Sequence, residues 1–194
     1  PNAFGYILDI RDFDNANNIA NQIIKDFGQI DFLVNNAGIW MIWAIHELSL
    51  TEMKSVMDTN LWWAVNFTKS FIKTFCRQKK WTLIFMSSQE WFVANPWFGA
   101  YNMSKFALEW FAQALALELG WCWVNTMIVN PWPFKTDFLK SIKFSQMPWS
   151  DFEKVQKIKE FVKANIWKEP WDVQLWAKLI IEAAQSPNPP LHLV

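Results

Sequence analysis

Two periods alternate along this chain. Short apolar runs occur at Phe4–Ile10, Asp31–Asn35, Thr82–Ser87 and Val124–Val129. Runs of that length, apolar on both faces, predict strands buried within a parallel sheet. Between them the apolar positions recur every three or four residues, which predicts helices. The first covers Asn15–Phe27, with Ile19, Ala20, Ile23, Ile24 and Phe27 on one face and Gly28 closing it. A long one starts at Ser49, where Ser49-Leu50-Thr51-Glu52 has capping-box spacing, and persists to about Lys79. Tyr101–Leu119 is strongly periodic and is followed by Gly120; Asp172–Gln185 is the final helix. After Ser186-Pro187-Asn188-Pro189-Pro190, Leu191–Val194 begins a last strand.

Strands alternating with helices predict βαβ units, hence an α/β fold whose parallel sheet is covered on both faces. No repeat, linker or low-complexity tract divides the chain, so residues 1–194 read as a single domain. In such sheets ligands bind beyond the carboxyl ends of the strands. The polar residues that break the apolar pattern fall at those ends: Asp9, Asn35, Ser87, Ser88 and the turn after Pro131.

Charge narrows the partners. Eighteen basic and eighteen acidic side chains leave a formal net charge of zero, which argues against a dedicated nucleic-acid binder. No apolar run approaches the roughly 18 residues that span a bilayer. Pro1 follows no basic-then-apolar leader, so no targeting segment is expected. Cys76 and Cys122 are too few for a disulfide framework and are expected to be reduced thiols in a cytoplasmic protein. His46 and His192 are far apart and lack cysteine partners, so no metal is expected. The run Arg77-Gln78-Lys79-Lys80 is a favourable charge cluster at a helix C-terminus.

Chemistry gathers on one helix. Tyr101 and Lys105 stand four residues apart and share a face. A Lys ammonium beside a phenol favours phenolate and is expected to lower its pKa, giving a usable base. Ser88, at a strand end, offers a hydroxyl opposite that Tyr. Asn60 interrupts the long helix with a poor helix former.

Together these residues carry a resemblance. Asn35-Asn36-Ala37-Gly38 after a strand, then Asn60, Ser87-Ser88, Tyr101-x-x-x-Lys105 and Pro131-x-x-x-x-Thr136 stand in the order and spacing of the short-chain dehydrogenases/reductases. Leu8-Asp9-Ile10 matches the strand end that carries the family's adenine-contacting acid. The likeness runs from Tyr6 to Val194. It implies a Rossmann-like doubly wound parallel sheet and NAD(P)-dependent hydride transfer between nicotinamide and a secondary alcohol or ketone.

The likeness also implies roles. Tyr101 would be the general acid/base, Lys105 would lower its pKa and hold the nicotinamide ribose, and Ser88 would orient the substrate carbonyl. Asn60 would anchor a water in a proton relay. Asp9 and Ile10 would line the adenine, Asn35, Ala37 and Gly38 the adenosine ribose, and Phe134 and Thr136 the carboxamide. The apolar region Asp137–Asn165 would cover an apolar substrate such as a steroid, retinoid or acyl chain. The helices beginning near Thr51 and Tyr101 would pair two copies in a homodimer or homotetramer. A non-catalytic nucleotide-binding or interaction protein on the same fold is the alternative, and a flavodoxin-like domain with chance motifs a weaker third.

Two departures from the family pattern stand out. Its first strand, Gly-rich phosphate turn, first helix and second strand have no counterpart, so the chain reads as partial. A gap of two strand widths, about 14 Å between flanking strands, is then expected between Phe4–Ile10 and Asp31–Asn35. The chain also holds 15 Trp and only 5 Gly, with Trp where the family usually has Gly: Trp40, Trp43, Trp63, Trp81, Trp91, Trp97, Trp110, Trp132, Trp167 and Trp171. Left-handed backbone costs a non-Gly residue about 1–2 kcal/mol, so widespread strain is expected there.

Overall fold

A computed structural model describes residues 3–79, 81–131, 136, 138, 142–145, 153, 157, 160, 164 and 172–194. In chain order the elements are α1 (Phe13–Phe27), β1 (Phe32–Asn35), β2 (Met41–Ile42), α2 (Leu50–Met57), α3 (Trp63–Gln78), β3 (Trp81–Met86), α4 (Gly99–Leu119), β4 (Val124–Val129), β5 (Lys143–Phe144), α5 (Val173–Gln185) and β6 (His192–Leu193). The main sheet is parallel with strand order β1-β3-β4-β6; β2 and β5 form a separate parallel pair.

Strand periodicity sorts side chains to two faces. Leu83, Phe85, Val124 and Ile128 pack with residues of α1, α3 and α4, including Ala20, Phe71, Phe75, Leu108 and Ala112. Ile84, Met127 and Val129 point the other way, against Ala184, Trp176 and Ile180 of α5. Each fully buried large apolar side chain contributes about 1.5–3 kcal/mol, so these two layers hold the strand ends, and the residues on them, in place. At α2 the capping box forms: Glu52 N donates to Ser49 Oγ (3.2 Å) and Ser49 N to Glu52 Oε2 (2.9 Å). Among the described residues no helix is long and apolar enough to cross a membrane.

Three expectations are corrected. Phe4–Ile10 forms no strand; Phe4 and Ile7 are 68% and 99% exposed. A parallel strand needs a neighbour on which to spend its hydrogen bonds, and this segment pairs with none. The expected two-strand gap therefore has no first edge. Instead Phe4 packs edge-on to Phe27 (5.3 Å) and Tyr6 Oη donates to Asp26 (2.9 Å).

Cys76 and Cys122 are joined in a disulfide, not reduced, because the end of α3 and the turn after α4 bring their Cα atoms to 5.0 Å. Gly120 ends α4 in right-handed backbone (φ −55°) and opens a 3₁₀ turn, Gly120–Cys122, after which Trp123 takes the left-handed position at φ 61°.

The backbone strain expected at many tryptophans is confined. Of those named above that lie among the described residues, only Trp97 (φ 73°) is left-handed. Trp63, Trp81 and Trp110 sit in regular helix or strand, where Cβ is no obstacle. Trp132, Trp167 and Trp171 lie outside the described residues.

Trp123 offers the clean test, because its side chain is 72% exposed and packs little. Trp123→Gly is expected to stabilise the fold by about 1 kcal/mol, since relief of left-handed strain exceeds the added unfolded-chain entropy. For a chain this size that is a rise in Tm of about 2–4 °C. An unchanged or lower Tm in a thermal melt would contradict it.

Candidate active site

The inward face of α4 carries Tyr101, Ser104, Lys105, Leu108, Glu109 and Ala112, all buried. Facing it, the helical stretch between α2 and α3 widens into one π-helical turn, Asp58–Trp62. Such turns are frequent at functional sites, and here the turn carries Asn60. Asn60 Nδ2 donates to Ile39 O and to Ser104 Oγ, each at 2.9 Å, and Oδ1 accepts from Ile39 N at 2.7 Å. Ser104 Oγ in turn donates to Tyr101 O at 2.7 Å. One amide thus ties the loop after β1 to α4. Gly38 lets the loop pass closely there: a Cβ would lie a tight 3.3 Å from Asn60 Oδ1 and 4.0 Å from Lys105 Nζ.

Ser88 ends the strand-end loop after β3, its Oγ accepting from Glu90 N (3.2 Å), and its hydroxyl acts on the Tyr101 phenol, opposing the rise in its pKa. The Lys105 ammonium stands 5.6 Å from the Tyr101 ring centroid and donates to Met86 O at 2.7 Å. Asn60, Ser88, Tyr101 and Lys105 are therefore one connected cluster at the carboxyl ends of the strands.

The expected lowering of the phenol's pKa is not what this arrangement gives. Burial pushes Tyr101 up to about 12, with the Ser88 hydrogen bond opposing and the Glu90 charge adding to the rise. The ammonium lies over the ring, in cation–π geometry, with its hydrogen bond spent on a carbonyl. Burial likewise holds Lys105 down to about 8, opposed by Glu109.

The other expected residues are more scattered. Asn35, buried at the end of β1, donates through Nδ2 to Thr68 Oγ1 (3.0 Å), while its Oδ1 is buried with no partner among the described residues. Ala37 O accepts from Trp63 Nε1 (3.3 Å). Asp9 is exposed and paired with Arg11 (2.6 Å), which holds its carboxyl down to about 2; Ile10 packs against the core. Thr136 is half-buried, and Phe134 lies outside the described residues.

Sequence reasoning misses three features. Trp40, Phe98 and Phe138 wall Tyr101: Trp40 lies 5.7 Å from the Tyr101 ring, 4.8 Å from Phe98 and 6.4 Å from Phe138. Glu90 is buried and accepts from Asn95 and Asn102 Nδ2. Glu109 is buried beside Asn130 and His192. A signal for Glu109 exists, since a carboxylate at i+4 from Lys105 falls on the apolar face of α4.

The Tyr101, Lys105, Ser88 and Asn60 cluster thus stands at the carboxyl edge of a parallel sheet flanked by helices. The short chain dehydrogenase family model matches residues 1–146, and the chain belongs to the short-chain dehydrogenase/reductase family. It is similar to retinol dehydrogenase 8 of Bos taurus, 30% identical over 85% of this chain and 55% of the relative. It is also similar to 11-beta-hydroxysteroid dehydrogenase 1A of Arabidopsis thaliana, 32% identical over 75% of this chain and 41% of the relative.

Among solved structures, a short-chain dehydrogenase from Streptomyces avermitilis superposes with TM-score 0.86 at 25% identity, covering 97% of this chain and 68% of that one. A metagenomic short-chain oxidoreductase in complex with NADP has TM-score 0.64 at 25% identity, covering 66% and 59%. The chain spans about half the length of the curated relatives named here.

Proposed function

We propose that the protein is an oxidoreductase using NAD or NADP on an apolar secondary alcohol or ketone, with Tyr101 as general acid/base. The observation that carries this reading is the Lys105 ammonium 5.6 Å over the Tyr101 ring, with the Ser88 hydroxyl opposing the rise in the same phenol's pKa. A substrate oxygen set between the two hydroxyls would be oriented by Ser88 and receive its proton from Tyr101.

The residues present suit a dinucleotide. Lys105 Nζ has spent one of its three hydrogens on Met86 O, leaving two for ribose hydroxyls. Asn35 Oδ1 is a buried acceptor awaiting a donor. On this reading Asn35, Ala37 and Gly38 hold the adenosine ribose, Asp9 and Ile10 the adenine, and Phe134 and Thr136 the carboxamide. Asn60, locked by its three hydrogen bonds, positions the backbone around Lys105 and anchors the proton relay. When bound, the nicotinamide gives or takes the hydride. The wall of Trp40, Phe98 and Phe138 supports an apolar substrate, the class named in the relatives that act on retinol and a hydroxysteroid.

The test is a panel of retinoid, steroid and long-chain carbonyls with NADH or NADPH and the full-length protein, followed by loss of nicotinamide absorbance. Turnover of at least one is expected; nucleotide binding with no turnover would favour the non-catalytic reading.

Association is part of the same proposal. Met103, Phe106, Trp110 and Leu117 are exposed on α4, and Trp62 beside α3. Apolar surface of that extent on adjoining helices suits a symmetric contact between two copies. Sedimentation at micromolar concentration is expected to give a dimer or tetramer, and Trp110→Lys to weaken it. A monomer in the unmodified protein would defeat this.

A further inference from the structure

We propose that Asn102, together with Glu90, clamps the Ser88 turn onto α4, making the two positioning residues for the Ser88 hydroxyl. The inference deepens the catalytic reading above and rests on it only for the effect on turnover.

Ser88 and Tyr101 come from different segments of the chain, so their relative placement needs a contact between those segments. Ser88 has extended backbone and caps the 3₁₀ turn Gln89–Trp91. Its Oγ accepts from Glu90 N at 3.2 Å. That bond occupies one lone pair and leaves the hydroxyl hydrogen for donation. Apolar burial does little to hold the loop that follows, because residues 92–96 are all exposed.

Polar contacts hold it instead. Asn102 follows Tyr101 in the first turns of α4 and is buried. Its Nδ2 meets three acceptors on the loop: Glu90 Oε2 at 2.8 Å, Glu90 O at 3.0 Å and Val93 O at 3.3 Å. They fix the orientation of the amide, since the reversed one would set Oδ1 against three oxygens. Glu90, itself buried, also accepts from Asn95 Nδ2, at 2.9 Å on Oε1 and 3.0 Å on Oε2. A continuous chain of contacts thus runs from the residue beside the phenol, through Glu90, to Ser88 Oγ. The side-chain partners of the carboxylate named here are amides, so its part is geometric. In Glu90→Gln the new Oε1 can still face buried Asn102. Its Nε2 then meets Asn95, which is exposed and can turn its own carbonyl inward.

The test reads two quantities in the full-length protein: kcat per nucleotide-binding site, and amide hydrogen exchange across residues 88–98. Asn102→Ala removes three contacts at once. It should lower kcat about 10–100-fold, the order that misplacing a reacting group by about 1 Å costs. Nucleotide affinity should be unchanged, and exchange across 88–98 faster. Glu90→Ala leaves Asn102 its two carbonyls and should act in the same direction but less. Glu90→Gln should restore both readouts. The double variant Glu90→Ala with Asn102→Ala should be little worse than Asn102→Ala alone, because the shared contact is already lost.

A merely structural role would reduce the fraction of protein that binds nucleotide and leave the kcat of that fraction unmoved. Unmoved kcat or unmoved exchange in folded Asn102→Ala overturns the proposal, as does a Glu90→Gln variant no better than Glu90→Ala. If Asn102→Ala does not fold, either readout unmoved in Glu90→Ala overturns it. A protein with no turnover would sink the catalytic reading, while hydrogen exchange would still judge the clamp.

Discussion

Tyr101→Phe is expected to lower turnover by about 10²–10⁴-fold, the range that a positioned general acid/base supplies, while nucleotide affinity and fold persist. The substitution removes only the hydroxyl. The ring would keep its packing against Trp40 (5.7 Å) and Phe138 (6.4 Å) and its place under the Lys105 ammonium. The same site fixes a pH dependence. At pH 7 Tyr101, pushed up to about 12, and Lys105, held at about 8, are both protonated. That state suits donation of a proton to a carbonyl. As pH rises through 8 the ammonium is lost, so carbonyl reduction should decline on the basic side. Alcohol oxidation, which needs the phenolate, should be favoured at higher pH. Rates measured in both directions across pH 6–10 check this. Turnover in Tyr101→Phe within tenfold of the unmodified protein would move the acid/base role elsewhere.

Much of this molecule is legible in its sequence. The 3.6-residue period locates α1, α4 and α5, and the capping box at Ser49–Glu52 forms as its spacing predicts. The long helix predicted from Ser49 is there, with a π turn at Asn60, whose propensity argues against regular helix. Relations between distant segments are what a linear pattern does not carry. Phe4–Ile10 has the composition of a buried strand, but strand formation depends on a neighbour to pair with, and composition is silent on that. The two-residue strands β2 and β5 are too short for a period to register. The phenol's pKa departs from expectation because i, i+4 spacing puts the ammonium near the ring without fixing which part of the ring it meets. Trp97 is the reverse case: a Trp expected at a glycine position does take left-handed backbone, while its fellows in strand and helix carry no such strain.

The buried lysine should also be visible in folding, with a sign that can be worked out. The Lys105 pKa is about 8 in the fold against 10.5 as a free side chain. Below pH 8 both states are protonated, and the fold bears the full penalty of a buried cation. Between pH 8 and 10.5 the folded state has released its proton while the unfolded chain retains it. Stability therefore rises with pH through that window. Tyr101 works oppositely but later, because a phenol raised from 10 to about 12 loses stability only above pH 10. The interval from pH 7 to 10 thus isolates the lysine. Lys105→Met shifts the baseline by an amount that depends on how Glu109 and Met86 O adjust, so the informative quantity is the difference between the two proteins as pH changes. That difference should move in favour of the unmodified protein by about 2–3 kcal/mol between pH 7 and 10. Urea unfolding of both proteins at several pH values measures it, and a difference flat across the window would show that Lys105 does not titrate as a buried cation.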